Sequence, residues 1–297
     1  MLREYLRVKE EKVTTRNASG IVKTRQITPM KYINLQTNDN PVSGVLHSSE
    51  SARQYNLRRY YPPAQLNSLV EQFWLVDWQL SNGQRHTQQN LPDPNFHLVF
   101  DNGAAKLIGP VSKMYAYAMQ ATGRIIGVKF NIGALAKWLN APVNAYVDKE
   151  IAATAVFGPQ VTELVALLAK ARDDEAIVAL LHRFLLPFDA APGRQLQQTQ
   201  QVFALIKHNS DATTVAMLSQ LSGVSLRTLQ RNFQQYVGLS PKWLIRKYRL
   251  HDALAALEDQ RTTIADVVEL LDYTDQSHLI RDFKAMLGVT PNVYINQ

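Results

Sequence analysis

Two clusters of polar side chains in the last hundred residues stand out for their chemistry. The first is Arg227, Thr228, Gln230 and Arg231; the second is Gln276, Ser277, His278 and Arg281. An arginine guanidinium can bond guanine O6 and N7 with two donors, and a glutamine amide can bond adenine N6 and N7. Around the first cluster, residues 212–251 contain no acid and six bases: Arg227, Arg231, Lys242, Arg246, Lys247 and Arg249. An acid-free basic stretch on helical sequence is an electrostatic footprint for phosphate. The bland alternative is a helical bundle whose exposed Arg and Gln are merely solvated.

Side chains of this kind must be presented by a fixed helix, and the surrounding sequence supplies one twice. Ser240-Pro241 and Thr290-Pro291 each place a cap residue before a proline at the first helical position, preceded by Gly238 and Gly288 as helix stops. The pairs lie 50 residues apart, and the offset continues through Leu229 with Leu279, Arg231 with Arg281, and Phe233 with Phe283. Each unit reads helix, tight turn, helix. In the first, Thr213–Leu221 is the support helix, Gly223-Val224-Ser225 the turn, and Leu226–Val237 the second helix, with Ser225 as its N-cap. In the second, Thr263–Leu271 is the support helix, with Thr263 and Asp266 at capping-box spacing, and Asp275 caps Gln276–Leu287. Leu229, Phe233, Leu279 and Phe283 are expected to bury, leaving the two polar clusters projecting. A helix-turn-helix reader needs this arrangement, and two copies in one chain can reach successive major-groove turns about 34 Å apart.

Residues 199–297 resemble the DNA-binding domain of AraC/XylS-family transcription regulators. The matching residues are Ser225-x-Arg227-x-Leu229-Gln230-Arg231-x-Phe233, Gly238-Leu239-Ser240-Pro241 and Arg249-Leu250-x-x-Ala253. They continue in Ser277-x-Leu279-x-Arg281-x-Phe283-Lys284 and Gly288-x-Thr290-Pro291-x-x-Tyr294. The second unit has Asp272-Tyr273 where the family usually has Gly-Phe, and Asp accepts the left-handed conformation less readily than Gly. The resemblance implies base-reading roles for Arg227, Gln230, Arg231, Gln276, Ser277, His278 and Arg281. It places Ser225, Lys242, Arg246 and Lys247 near phosphates, with bracing of the two units as the alternative for bases on the joining helix.

The chain has 297 residues, a net charge of +7 and no cysteine. That length suggests about two domains. The missing cysteines exclude disulfides, thiol catalysis, thiolate metal sites and cysteine-based alkyl transfer. No apolar run reaches the roughly 18 residues of a membrane span, and the charged N-terminus does not read as a secretory signal. Residues 1–60 hold 11 Lys and Arg against 5 Asp and Glu, whereas 199–297 hold 10 against 9. Residues 1–49 read as a polar, largely irregular extension, and Met30 reads more like a protein start than Met1 does.

Residues 50–188 read as a β-rich regulatory domain. Phe73–Leu80 is aromatic and β-branched, and Phe96–Phe100 ends at Asp101-Asn102-Gly103, a hairpin signal. Short strands between turn signals suggest a sandwich or a small cupin-like barrel. Leu91-Pro92-Asp93 with Ile108-Gly109-Pro110 and Gly127–Phe130 resembles the N-terminal domain of some such regulators, with Pro94 where Gly is usual. Trp74, Trp78, Phe96, Phe100, Tyr115 and Tyr117 are candidates for a ligand pocket, with plain core as the alternative. His86 and His97 lack the His-x-His pairing of a metal cupin. Residues 158–187 read as a helix pair, a candidate dimer seam or a cover for the sheet, and 189–198 as a linker.

The expectation is an α+β chain: a β-rich N-terminal domain with a helix pair, then an all-α double helix-turn-helix domain over 199–297. Its expected function is a cytoplasmic, sequence-specific transcription regulator, an activator on family grounds, and not an enzyme; no cofactor or metal is expected. Expected partners are double-stranded DNA, then RNA polymerase facing the acids Asp266, Glu269 and Asp272, a small-molecule effector, and a second copy through 158–187; no membrane is expected. The rivals are a small-molecule-binding protein or enzyme whose helical tail is an assembly module, and a non-specific nucleoid binder using the basic N-terminus.

Overall fold

The computed structural model describes residues 13–16, 22–25, 44, 46, 53–208, 214–258 and 262–296. Strands β1 (Val13–Arg16) and β2 (Val22–Arg25) pair as an antiparallel hairpin, so the extension is not wholly irregular. Most of the basic residues before Arg53, and Met30, lie outside the described residues.

The N-terminal domain is built on one antiparallel six-stranded sheet. Its members are β3 (Tyr55–Tyr60), β4 (Val70–Gln79), β6 (His97–Asp101), β7 (Ala104–Ile108), β9 (Thr122–Phe130) and β10 (Glu150–Ala152), in the order β10-β7-β6-β9-β4-β3. The β6–β7 hairpin turns at Asn102 (φ 48°) and Gly103 (φ 73°), the paired positive φ that an Asn-Gly turn supplies. A separate ribbon, β5 (Arg85–Asn90) with β8 (Tyr115–Gln120), packs on one face of the sheet. The second layer is therefore a two-stranded ribbon.

Strand alternation sorts the aromatic residues. Phe73 and Leu75 of β4 and Phe96, Leu98 and Phe100 face a core covered by helices; Trp74, Val76 and Trp78 face the ribbon with Tyr117 and Met119. A bulge between Val70 and Gln72 shifts the parity, so that Val70 joins Phe73 on the helix side. The six aromatics expected to line one pocket thus divide between opposite faces of the sheet, and Tyr115 is exposed. They do not share a cavity. Two open clefts lie elsewhere, one of about 550 Å3 along residues 198–208 and 221–224. The other, of about 430 Å3, lies beside Asp77, Asp101 and Arg124 and borrows only Phe100 from the six. His86 sits against Tyr55, whereas His97 sits against Trp74 and Asp93, so the two imidazoles have separate surroundings.

The helix face is covered by α1 (Thr154–Phe157), α2 (Gln160–Leu168) and α3 (Asp174–Leu185). Val161, Leu164 and Leu168 of α2 and Ile177, Val178, Leu181 and Leu185 of α3 bury against the sheet. The helix pair therefore covers its own sheet, and the apolar face that suggested a dimer seam is already occupied. Asp173 caps α3, accepting from the Ala176 N–H at 2.8 Å. Asp174 is turned to the sheet, where it accepts from Arg58 (2.5 and 3.0 Å) and Tyr60. Burial alone would raise the Asp174 carboxyl, but these donors hold it below its ordinary value.

The second half of the segment expected as a linker is helical: Arg194 already opens α4 (Arg194–His208). Five further helices follow: α5 (Val215–Ser222), α6 (Leu226–Tyr236), α7 (Pro241–Glu258), α8 (Ile264–Leu270) and α9 (Gln276–Leu287), with α10 (Pro291–Ile295) closing the chain. One core gathers α4–α6 and the start of α7; a second gathers the end of α7 with α8–α10.

Register explains two glycines of β9. Gly127 lies opposite Trp74 and Gly123 opposite Trp78, and each indole lies where a Cβ on its glycine would fall. Gly127→Ala should cost about 1–3 kcal/mol by overpacking. Urea denaturation should show this as a lower midpoint with an unchanged slope; an unchanged midpoint would mean that the indole moves aside freely.

Candidate nucleic-acid interface

The first unit is α5, a turn and α6. Thr214 caps α5 by accepting from the Met217 N–H, and Gly223 ends it at φ 66°. Ser225 caps α6, accepting from the Thr228 N–H at 3.3 Å. Val224, Leu229, Asn232, Phe233 and Val237 bury. Arg227, Gln230, Arg231 and Gln234 are exposed, one row at helical spacing. Among the described residues, no acid pairs with Arg227 or Arg231 within 4 Å.

The second unit repeats this with different caps. Thr263 and Asp266 form the reciprocal capping box, with Asp in the place of the commoner Glu or Gln. Asp272 adopts φ 53° in the turn, taking the left-handed conformation that favours glycine. Asp275 caps α9, accepting from the His278 N–H at 2.7 Å. Gln276, Ser277, Arg281 and Lys284 are exposed; His278 is half-buried, edge-on to Tyr273 at 5.2 Å. Arg281 Nε donates to the Ser277 carbonyl at 3.2 Å, which draws it along its own helix.

At the 50-residue offset the exposed rows correspond: Arg227 with Ser277, Arg231 with Arg281, Gln234 with Lys284. Gln234 and Lys284 were not singled out as readers from the sequence. Their signal was present, since each stands one turn beyond the matched arginine. Gln230 has the half-buried Ile280 as its counterpart, so the second helix offers a narrower polar face.

The bases of α7 part company. Lys242 is exposed in the first turn, beside Ser240, which caps the helix through the Trp243 N–H. Arg246 is turned inward and bonds Asp282 of α9 at 2.7 Å through both Nε and Nη2. This is a brace between the units, and it corrects the phosphate role expected of Arg246. Lys247 is likewise corrected. Its ammonium lies 4.2 Å from the Tyr248 ring centroid and within the electrostatic reach of Asp93 and Lys129 of the N-terminal domain. Burial lowers it to about 8, which Asp93 partly opposes and Lys129 reinforces.

Around Lys247 the N-terminal domain contributes a compact charge cluster. Lys129 pairs with Asp93 at 2.8 Å and Glu71 at 3.4 Å, and His97 approaches Asp93 at 3.6 Å. Burial would raise the Asp93 carboxyl, yet Lys129 and His97 hold it well below the usual carboxylate range.

Two predictions test these placements. Arg246→Ala should destabilise the chain by on the order of 3 kcal/mol, because it leaves a buried carboxylate uncompensated. Lys242→Ala should leave thermal stability nearly unchanged, and equal losses in the two variants would remove the brace. Lys247 binds its proton less tightly folded than unfolded, so its penalty applies in full below pH 8 and fades as pH rises toward 10.5. Lys247→Met should therefore gain stability over wild type at pH 7, and the gap should close by about pH 10 in paired melts. A gap independent of pH would show that Lys247 titrates normally.

The sequence matches two family models. Residues 58–152 match a domain of unknown function (DUF6597), and residues 218–297 match a helix-turn-helix domain. The chain is 40% identical over 73 residues to the F1 operon positive regulatory protein of Yersinia pestis, covering 25% of this chain and 24% of that protein. It is 32% identical over 81 residues to an AraC-like transcription regulator of Streptomyces lividans, covering 27% of each. It is 30% identical over 77 residues to the transcriptional activator AarP of Providencia stuartii, covering 26% of this chain and 57% of that one. These matches span from about a quarter to somewhat over half the length of the curated relatives. Among solved structures, ToxT of Vibrio cholerae aligns at 11% identity and a TM-score of 0.38, covering 75% of this chain and 97% of that one. By sequence match and by the doubled unit of support and recognition helix, the C-terminal third of this chain is an AraC-type helix-turn-helix domain.

Proposed function

We propose that this protein is a sequence-specific DNA-binding transcription regulator that reads two successive major grooves, one with α6 and one with α9. The observation that supports this best is the pair of matching exposed rows, each on the free face of a helix whose other face is locked into a core. Arg227, Gln230, Arg231 and Gln234 form the stronger reader; Gln276, Ser277, Arg281 and Lys284 form the second. Lys242 is the phosphate contact of α7, joined by the capped helix start at Ser225, where free N–H groups favour anions. His278 supports the turn through Tyr273 more than it reads.

The reading extends to an activator acting in the cytoplasm, with the N-terminal domain as the regulatory half. Two of the relatives, AarP and NphR of a Rhodococcus, are named activators. The exposed acids Glu269 and Asp272 and the exposed Leu270 beside them offer RNA polymerase a surface distinct from the reading faces.

Selection from random duplexes by the full chain, followed by salt titration of the winner, tests this reading. The expected result is two short blocks one helical turn apart, with affinity falling steeply as salt rises. No enriched motif together with salt-insensitive binding would overturn it. On the selected site, Arg231→Ala should cost about 1–3 kcal/mol and relax one base preference. Lys242→Ala should weaken all sequences alike and reduce the salt slope by about one. If Arg231→Ala weakened all sequences alike, that arginine would be a phosphate contact.

A further inference from the structure

The N-terminal domain touches both reader units, close to the C-terminal ends of both recognition helices. At the first, Gly238 follows α6 at φ 83°, and a Cβ there would lie 2.9 Å from Val147 and 3.1 Å from Val143. At the second, the Met114 N–H donates to the Met286 carbonyl in the last turn of α9 at 2.6 Å. Leu46, Leu91 and Met114 complete the core formed by Leu254, Leu279 and Phe283. Trp243, at the start of the joining helix, donates from Nε1 to the Ser112 carbonyl at 3.2 Å.

Apart from Leu46 and Leu91, these contacts come from two short segments, 110–114 and 143–148, and one side chain ties the segments together. Asp148 accepts from the Ser112 N–H at 2.7 Å and from its hydroxyl at 2.6 Å, while its own N–H donates to the Pro110 carbonyl at 2.8 Å. It does so from φ 57°, a conformation that few non-glycine residues adopt. The path is continuous: the end of α6, Val143 and Val147, Asp148, Ser112, then Trp243 and, through Met114, the end of α9.

We propose that this brace, with Asp148 at its centre, sets the separation of the two recognition helices and thereby the spacing between the two blocks of the DNA site. The inference rests on the DNA-reading function above. Asp148 touches no base and, being an acid, is unsuited to touch phosphate, so it is a positioning residue. Adding one base pair moves the far block about 3.4 Å along the axis and turns it by about 35°. A joining helix alone can bend to follow such a shift. A helix pair also gripped at its far ends cannot, and it meets a matched site already arranged for binding.

The test is spacer selectivity of the full chain: affinities for duplexes carrying the selected blocks at the native spacing, at one base pair more and one fewer, and for a single block. Wild type should prefer the native spacing by about tenfold or more. Asp148→Gly keeps the positive φ without strain but removes the carboxylate. It should flatten that preference while leaving single-block affinity unchanged. Asp148→Asn, which retains one acceptor, should restore part of it, and Trp243→Phe should weaken it without loss of the aromatic packing.

A second readout needs no DNA. Because the chain has no cysteine, Gln234→Cys with Lys284→Cys gives two unique spin-label sites on the recognition helices. The measured distance distribution should be narrow in the parent and broader with Asp148→Gly. Equal weakening at every spacing, or unchanged spacer preference with an unchanged distance distribution in the folded variants, would overturn the inference and leave the DNA-reading function standing. If wild type selected no duplex at all, the function itself would fail. The distance measurement would then still decide whether Asp148 fixes the two helices.

Discussion

Asp282 is a carboxylate on α9, yet it is almost wholly enclosed. Arg246 compensates it, and the pair fastens the joining helix α7 to α9. An isolated buried charge is severely unfavourable, whereas a charge bonded through two donors is not, so the contact permits few alternative packings. The geometry of the second reader follows from it. With Asp282 directed inward, Leu279, Phe283 and Met286 share the buried face, and Ser277, Arg281 and Lys284 must face outward. The first unit reaches the same orientation differently, with Asn232 buried at the position equivalent to Asp282. An uncharged amide there needs no partner from α7, which is consistent with Lys242, on the first unit's side of α7, remaining free.

Much of this was legible before any coordinates. The 50-residue repeat, the caps at Ser225, Asp275 and Thr290 and the capping box at Thr263 and Asp266 all depend on near neighbours, and local chemistry determined them. The Asn102-Gly103 turn was readable for the same reason. The fates of Arg246 and Lys247 were not, because their partners lie 36 residues away at Asp282 and more than a hundred away at Asp93 and Lys129. A base on a helix enclosed on several sides looks identical in sequence to one on a free face. The aromatic pocket was a different kind of error. Phe96 and Phe100 alternate with His97 and Val99, and Trp74 and Trp78 with Phe73 and Leu75, so strand parity already sorts them by face. Matching the faces of different strands, however, needs the sheet order and the bulge at Val70–Gln72, and neither is local. The helix pair shows the same limit, since an apolar stripe requires burial without saying against what.

The two readers are not electrostatic equals, and this bears on why the N-terminal domain is coupled to them as it is. Residues 212–251 hold six bases and no acid, whereas 252–297 hold 3 bases against 8 acids. Some of those acids have structural work: Asp282 in the brace, Asp266 and Asp275 as caps. Even so, the second unit gains less from the phosphate backbone, and a reader with less general attraction depends more on arriving in the correct place. The coupling follows that need. The first unit receives Ile132 in its core and packs Val143 and Val147 against Gly238 at the end of α6; the second receives Leu46, Leu91 and Met114 in its core, together with a backbone hydrogen bond to the end of α9. A change in the 110–114 segment would reach the second unit directly, through Met114 and the Met286 carbonyl. Loss of its alignment reduces discrimination between spacings before it reduces attraction to DNA, so a regulatory domain attached at this point can change which sites are used while the first reader keeps its hold.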